Sequence, residues 1–370
     1  MMNGKFSALF SEYVIDGVKM GMTPANLLEE CMRGRKLGFE PDVVDIVDES
    51  VDPTIRTARN FPDGIDDCLK YVLEEEAEQK SCPESAGLIP SFAEKNYMKL
   101  IVAGALIDSI WHGRSEAIDS RSVSLSWRWN DKPLGNMAAF YSGVESLTRY
   151  LFDIDVAVAD AEYDFVEDGN YMDVKVLVDG EMDRERLATG PLKRDGSSWL
   201  VYVPFDTAPF RLGGSLLTRA CGSNGDAVQD INDPCYFSDC FEVVKELVVD
   251  GVAVAGISVG HGGLLPALRH LLDRGEGAGA DISIAGIMRT YSEQDPLRIL
   301  FAQMPGVVIQ VMDADFDYID SQFLLQDVAY FPIGHPVFES SDIKVIQDST
   351  PGISSILESL ADQNYKQLDF

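Results

Sequence analysis

The chain has 370 residues and a formal net charge of −31, from 61 acidic and 30 basic residues. Phosphate backbones and anionic lipid surfaces are held by lysine and arginine, so this balance argues against nucleic acid and against electrostatic membrane docking. At 46% hydrophobic the composition is that of a globular protein large enough for one large or two medium domains, and no run of about eighteen apolar residues is available to span a bilayer.

The first residues, Met1-Met-Asn-Gly-Lys-Phe-Ser7, lack the apolar core of a secretory leader, which sets the expectation of a cytoplasmic protein. Thr23 followed by Pro24 reads as an N-cap and first helical position, with Leu27, Leu28, Cys31 and Met32 on one face. Pro41–Asp48 alternates and reads as an edge strand with one wet face. Asp63–Gln79 reads as a second helix, with Cys68, Leu69, Tyr71, Val72 and Leu73 apolar and Glu74-Glu-Glu76 solvated. Lys80–Gly87 is turn-rich and reads as a linker.

Beyond it, Ile89–Trp111 reads as one long or two short apolar helices, and Ser122–Trp129 as an alternating strand whose tryptophans, Trp127 and Trp129, point to the core. Ala138–Phe152 has helical periodicity through Phe140, Val144, Leu147 and Leu151. Strands follow at Val156–Val158 and Tyr171–Val178. The remainder reads as a strand ending at Pro204, helices at Leu216–Cys221 and Phe237–Val249, and a strand ending at Val259. A helix at Leu264–Asp273, a strand at Val307–Val311 and a helix at Asp317–Leu325 complete it.

Two glycine turns stand out. Arg211-Leu-Gly-Gly-Ser215 follows one buried-strand pattern, and Gly260-His-Gly-Gly-Leu264 follows another. Backbone N–H groups at such turns can face an anion. Arg211, Gly213, Gly214 and Ser215 are therefore candidate nucleotide-binding residues. So are His261, Gly262 and Gly263. The alternatives are that Ser215 is a helix cap, that Arg211 is a surface base and that His261 is an ordinary loop residue. Asp160, Glu162 and Asp164 alternate onto one face of a strand. They are candidate ligands for a hard cation, or a solvated acidic face. The six cysteines include no Cys-x-x-Cys pair and no histidine at zinc-site spacing. No catalytic triad is readable, and no catalytic residue is assigned.

Five blocks, in order, resemble the second synthetase repeat of phosphoribosylformylglycinamidine (FGAM) synthase, a relative of aminoimidazole ribonucleotide synthetase. They are Tyr97–Asp108, Ser124–Trp129, Tyr141–Glu145 with Asp155–Asp160, Leu200–Leu216, and Val252–Leu264. Phe301–Gly306 and Gly334–Pro336 continue the series, so the resemblance runs from about Leu88 onward. It implies an α/β fold of mixed sheets, with a half-barrel-forming domain followed by a layered α/β domain. The expected division is a mostly helical extension (1–87), the half-barrel domain (88–195) and the synthetase C-terminal-like domain (196–370). It also implies ATP or ADP with Mg²⁺ as the family's ligands. Half-barrels of this kind pair, so the expected partner is a second copy or a second synthetase-like subunit, joined through an apolar sheet face left uncovered.

The departures touch the chemistry. Where the family has a Gly-Lys-Asp-Ser turn, this chain has Ala159-Asp-Ala-Glu162. Its His-Asp-x-Ser-Asp-Gly-Gly-Leu becomes Ile257-Ser-Val-Gly-His-Gly-Gly-Leu264, its Ala-Leu-Thr-Asn becomes Ala105-Leu-Ile-Asp108, its Ser-Ala-Asn-Trp becomes Ser126-Trp-Arg-Trp129, and a Glu-Glu pair becomes Gln303-Met304. Phosphoryl transfer depends on charge neutralisation and metal carboxylates, so the resemblance implies a degenerate, scaffold-keeping relative. The rivals are an active ATP-dependent ligase of purine synthesis with its metal site rebuilt from Asp160, Glu162 and Asp164, and a module that holds ADP or ATP.

Overall fold

The chain enters its fold through a hairpin. Tyr13-Val-Ile15 and Val18-Lys19 flank Asp16-Gly17, both at positive φ, a two-residue loop that matches the twist of the strands it joins. In the computed structural model, residues 7–37, 44–50, 61–81, 94–112, 116–166, 172–179, 191–222, 227–260, 262–275 and 277–346 are described. The strands are β1 (Glu12–Ile15) and β2 (Val18–Lys19), followed by α1 (Pro24–Cys31) and β3 (Asp45–Asp48). Thr23 and Asn26 close α1 in a reciprocal capping box. The edge strand read at Pro41–Asp48 is β3, parallel to β1, with Ile46 and Asp48 inward and Asp45 and Val47 wet.

Next come α2 (Ile65–Ser81), α3 (Glu94–Ile110), β4 (Ser122–Trp129), α4 (Asn136–Asp153), β5 (Ala157–Phe165) and β6 (Met172–Val178). Strand β4 is central, parallel to β5 and antiparallel to β6. Its inward residues Val123, Leu125, Trp127 and Trp129 are buried. Phe140 of α4 meets Trp127, Trp129 and Tyr163 edge-on at 5.7, 5.5 and 5.2 Å, and such pairs contribute about 0.5–1.5 kcal/mol each beyond area burial. Helix α4 starts at Gly135, which offers no capping side chain. Asp48 of β3 supplies the cap from a distance, accepting from the backbone N–H of Gly135 (2.8 Å), Met137 (2.9 Å) and Ala138 (3.2 Å).

The second half runs β7 (Trp199–Pro204), α5 (Leu216–Ala220), α6 (Pro234–Val249), β8 (Ala253–Val259), α7 (Leu264–Asp273), β9 (Gly279–Ser283), α8 (Ala285–Thr290), α9 (Pro296–Phe301), β10 (Gly306–Val311), α10 (Phe316–Leu325), β11 (Phe331–Val337) and β12 (Ile343–Ile346). Its six-stranded sheet has the order β12-β9-β11-β7-β10-β8, antiparallel except for β12 with β9. Alternate residues feed two cores. Val201, Val203, Val307 and Ile309 pack towards α6 and the first half. Leu200, Tyr202 and Val308 pack towards α5, α7, α8 and α9.

The described residues up to Ser81 serve both halves. The hairpin and α1 join the first core with α4, whereas Cys68 and Val72 of α2 join the second, beside α5 and α7. The expected solvation of Glu74-Glu-Glu76 fails at Glu76, which is 7% exposed. Cys68, Val72 and Glu76 are spaced by four and share the buried face. The expected apolar outer face of the β5-β4-β6 sheet is also corrected. By register it carries Ser124, Ser126 and Arg128, opposite Asp160, Glu162 and Asp164 on one side and Leu177, Lys175 and Asp173 on the other. Among the described residues of that face only Leu177 is large and apolar, so apolar burial there does not drive pairing.

Candidate functional site

Three of the blocks singled out in the sequence converge at a cleft between the halves. Helix α3 gives one wall, the end of β8 with Ala267 and His270 of α7 the other, and the segment between α9 and β10 the floor. The cavity measures about 490 Å³, in the range of small-molecule pockets. Leu100, Ile101, Ala105, Val176 and Ile257 make it largely apolar, and Glu76, Asp108, Ser258, His270 and Gln303 supply its polar groups.

The wall of the cleft is tied across the halves. Trp111 Nε1 donates to Ser258 Oγ at 2.8 Å, and that hydroxyl donates to Asp108 Oδ1 at 2.6 Å. The indole lies so close to β8 that a Cβ at Gly256 would sit 2.5 Å from a ring carbon. Lys99 of the same helix, 9% exposed, reaches Asp230 at 2.6 Å and the carbonyl of Ile231 at 3.0 Å. Arg219 at the end of α5 donates to the Tyr97 hydroxyl at 3.0 Å and lies over its ring. From above, His270 Nε2 donates to Glu76 Oε2 at 2.6 Å.

The second glycine turn borders this cleft and is closed by packing. Gly262 and Gly263 have φ of +88° and +93°, a region that side chains avoid. A Cβ at Gly263 would lie 2.6 Å from the Phe301 backbone, and one at Gly262 would lie 3.1 Å from Glu76 Oε1. The Gly263 N–H donates back to the Gly260 carbonyl at 3.3 Å. His261 lies outside the described residues. A carboxylate of α2 thus stands against the turn considered for a phosphate.

The first glycine turn does not line the cleft. Ser215 is fully buried and caps α5, accepting from the Thr218 N–H at 3.3 Å. The Gly213 N–H donates to Ala227 (2.9 Å), the Ser215 N–H to Leu212 (3.0 Å) and the Arg211 N–H to the Gln229 side chain (2.9 Å). Only Gly214, at φ +72°, uses the conformational freedom of glycine.

Asp160, Glu162 and Asp164 do share one face of β5, all exposed, on the outer side of the first sheet and away from the cleft. Same-face neighbours on a strand stand about 6.6 Å apart. Among the described residues, no group of three or more His, Cys, Asp or Glu side chains converges to hold a metal ion. Among its described lining residues the cleft has two carboxylates, Glu76 and Asp108, of the kind that can hold Mg²⁺, but no lysine or arginine to hold phosphate directly. Sequence reasoning missed Glu76, His270 and the role of Gln303. The spacing of Glu76 from Val72 and Cys68 was the available signal for the first.

No family profile matches the chain. Among curated proteins it is 25% identical over 276 residues to a probable phosphoribosylformylglycinamidine synthase, chloroplastic/mitochondrial, of Arabidopsis thaliana, covering 71% of this chain and 19% of that protein. It is 24% identical over 250 residues to the human phosphoribosylformylglycinamidine synthase, covering 64% and 18%. The chain thus spans about a fifth of these relatives. Among solved structures, Thermotoga maritima PurL complexed with FGAR superposes with a TM-score of 0.54 at 15% identity, over 70% of this chain and 42% of that one. The PurLQS structure from the same organism gives 0.52 at 17%, over 69% and 40%. T. maritima PurL complexed with ATP gives 0.50 at 14%, over 70% and 40%. The chain has homologues among FGAM synthases and carries their aminoimidazole ribonucleotide synthetase-like α/β fold.

Proposed function

We propose that this protein is a catalytically degenerate relative of FGAM synthase that serves as a binding or structural subunit. The observation that carries the reading is the use made of the cleft. Ser258, which stands where the family motif has an aspartate, is engaged by Trp111 and Asp108 in holding the two halves together. Glu76 Oε1 stands at the same glycine turn, 3.1 Å from where a Cβ on Gly262 would lie. A carboxylate at that place repels a polyphosphate, since one like-charge contact near a protein surface costs a few kcal/mol at an effective dielectric of about 20. The site retains shape and polarity, which suits binding without turnover.

The proposed partner is a second copy or a synthetase-like subunit meeting the β5-β4-β6 sheet. With that face polar, the contact would rest on charge pairing between acidic β5 and Lys175 and Arg128 rather than on apolar burial. Its association would therefore weaken with salt.

The activity test is ADP formation by the purified chain with Mg²⁺-ATP and FGAR, with glutamine or ammonia as nitrogen donor. The reading expects no rate above the protein-free control. Turnover that disappears in Asp160→Ala would favour instead the ligase with its metal site rebuilt on β5.

A further inference from the structure

The six-stranded sheet has one open place on the face that looks towards the first half. On that face Phe237 and Phe241 of α6 and Ile319 and Phe323 of α10 share a core with Val201, Val203, Val307 and Ile309. By register Pro332 lies beside Val201, Asp281 beside His335 and Lys344 beside Asp281, all on this same face. Pro332, Asp281, Lys344 and Ile346, two residues beyond Lys344, are exposed. The other face of these strands is covered, with Ala280, Ile282 and Ile333 in the second core. Two strands span about 10 Å, which is about the spacing of packed helices. Among the described residues, β9 and β12 therefore leave room for one helix beside α10.

Helix α10 borders that place with apolar side chains it does not bury. Leu324, Leu325 and Tyr318 are 70%, 77% and 45% exposed, and Ile346 at the end of β12 is 51% exposed. Tyr318 and Leu325, seven apart, share one side of the helix. A single exposed apolar residue is ordinary, but three on one short helix make a patch.

The course of the chain decides the occupant. Ile346 is level with Ser283, and the preceding Ile282 lies opposite Gly334. Strand β12 thus stops at the end of the sheet where β11 begins, at Phe331, a few residues after α10. Residues 347–370 lie outside the described residues. In their sequence, Thr350-Pro351 repeats the Thr23-Pro24 pair that opens α1. Ile353, Ile356, Leu357, Leu360 and Leu368 then follow helical spacing, with Glu358, Asp362 and Lys366 on the other side. Residues 347–352 can reach about 20 Å, enough to turn back from β12 to α10. We propose that residues 351–368 form an amphipathic helix that docks within the same chain beside α10, its apolar face against Leu324, Leu325 and Ile346. That face carries no charge, so it meets no repulsion from Asp317 and Asp320 of α10.

Amide hydrogen exchange on the full chain tests the docking. Amides of 353–361 should exchange at least about 10-fold more slowly than in a free peptide of the same sequence, because an isolated helix of this length is marginal in water. Leu324→Gln with Leu325→Gln, both on α10, should bring them back to within about threefold of the peptide. Glutamine keeps helix propensity, and unchanged exchange in β7 and β10 shows that the core is intact. Ile356→Gln with Leu360→Gln should remove the protection from the other side of the contact, whatever the α10 pair does to folding. Exchange at the peptide rate in the unmodified chain, or protection untouched by the α10 pair, overturns the proposal. So does protection that grows with protein concentration, which marks a second copy as the occupant.

Discussion

Two acidic places in this molecule behave in opposite ways. Asp160, Glu162 and Asp164 are conspicuous in sequence, sit side by side on β5, and end up exposed on a sheet face. Glu76, from the acidic run on α2, and Asp108, from the Ala-Leu-Ile-Asp block on α3, line one cavity between the halves. The strand repeat explains the first outcome, because it spreads same-face residues along a line facing solvent. The second arises because a cleft gathers groups from distant segments, with Glu76 buried there while Asp108 stays exposed and accepts from Ser258. Crowding in sequence thus says less here than packing does, for of Glu74-Glu-Glu76 only Glu76 is buried.

Variants at the cleft should therefore cost stability where those on β5 do not. The largest effect is expected for Gly263→Ala, on the order of 3 kcal/mol, since it combines a positive φ with a clash against the Phe301 backbone. Chemical denaturation measures it, and a loss under about 1 kcal/mol would mean the turn is not closed by packing. Glu76→Ala should follow at about 1–3 kcal/mol, because it removes the buried partner of His270. Trp111→Phe should cost about 1 kcal/mol through the lost bond to Ser258. The triple change Asp160→Asn, Glu162→Gln, Asp164→Asn should stay within about 0.5 kcal/mol, with any gain largest at low salt as like charges are removed. A triple variant that unfolds would erase the contrast.

The comparison can be sharpened by thiol chemistry on the buried face of α2. Burial pushes the Cys68 thiol up to about 11 from an ordinary value near 9. A raised thiol value means less thiolate, by about a hundredfold at any pH well below both values. In native protein near pH 8, site-resolved alkylation should find Cys68 much slower than exposed Cys235. The Cys68 rate should rise as pH approaches 11. Glu76→Ala should speed it if the Glu76–His270 contact holds α2 down. Equal rates at Cys68 and Cys235 in the unmodified chain would mean that α2 does not stay on the second core.

Much of the fold was legible because its helices and central strands carry strong patterns. Helix α7 and strand β4 occur where the spacing places them, at Leu264–Asp273 and Ser122–Trp129. The β1–β2 hairpin was missed although Asp16-Gly17 between apolar residues is a direct signal for it. Strand β11 was hidden by Pro332, Gly334 and Pro336, which argue against a central strand. Gly334 is nonetheless required there, since a Cβ would lie 2.0 Å from the Asp281 carbonyl oxygen. A register shift beside it accommodates the prolines. The glycine turns were readable as turns. That their N–H groups and φ angles are consumed by packing depends on Phe301, Ala227 and Glu76, which lie far away in sequence. The division at 87/88 and 195/196 remains our proposal, to be tested by limited proteolysis.

The central claim is that the cleft has given up polyphosphate binding while keeping the fold. Titration calorimetry of the full chain with Mg²⁺-ATP tests it most directly. The account predicts no detectable heat of binding up to millimolar ATP. It further predicts that Glu76→Gln, which removes the carboxylate charge beside Gly262, is the single change most able to let an anion in. Micromolar binding to the unmodified chain, lost in Asp160→Ala, would contradict the account and move the metal site to β5.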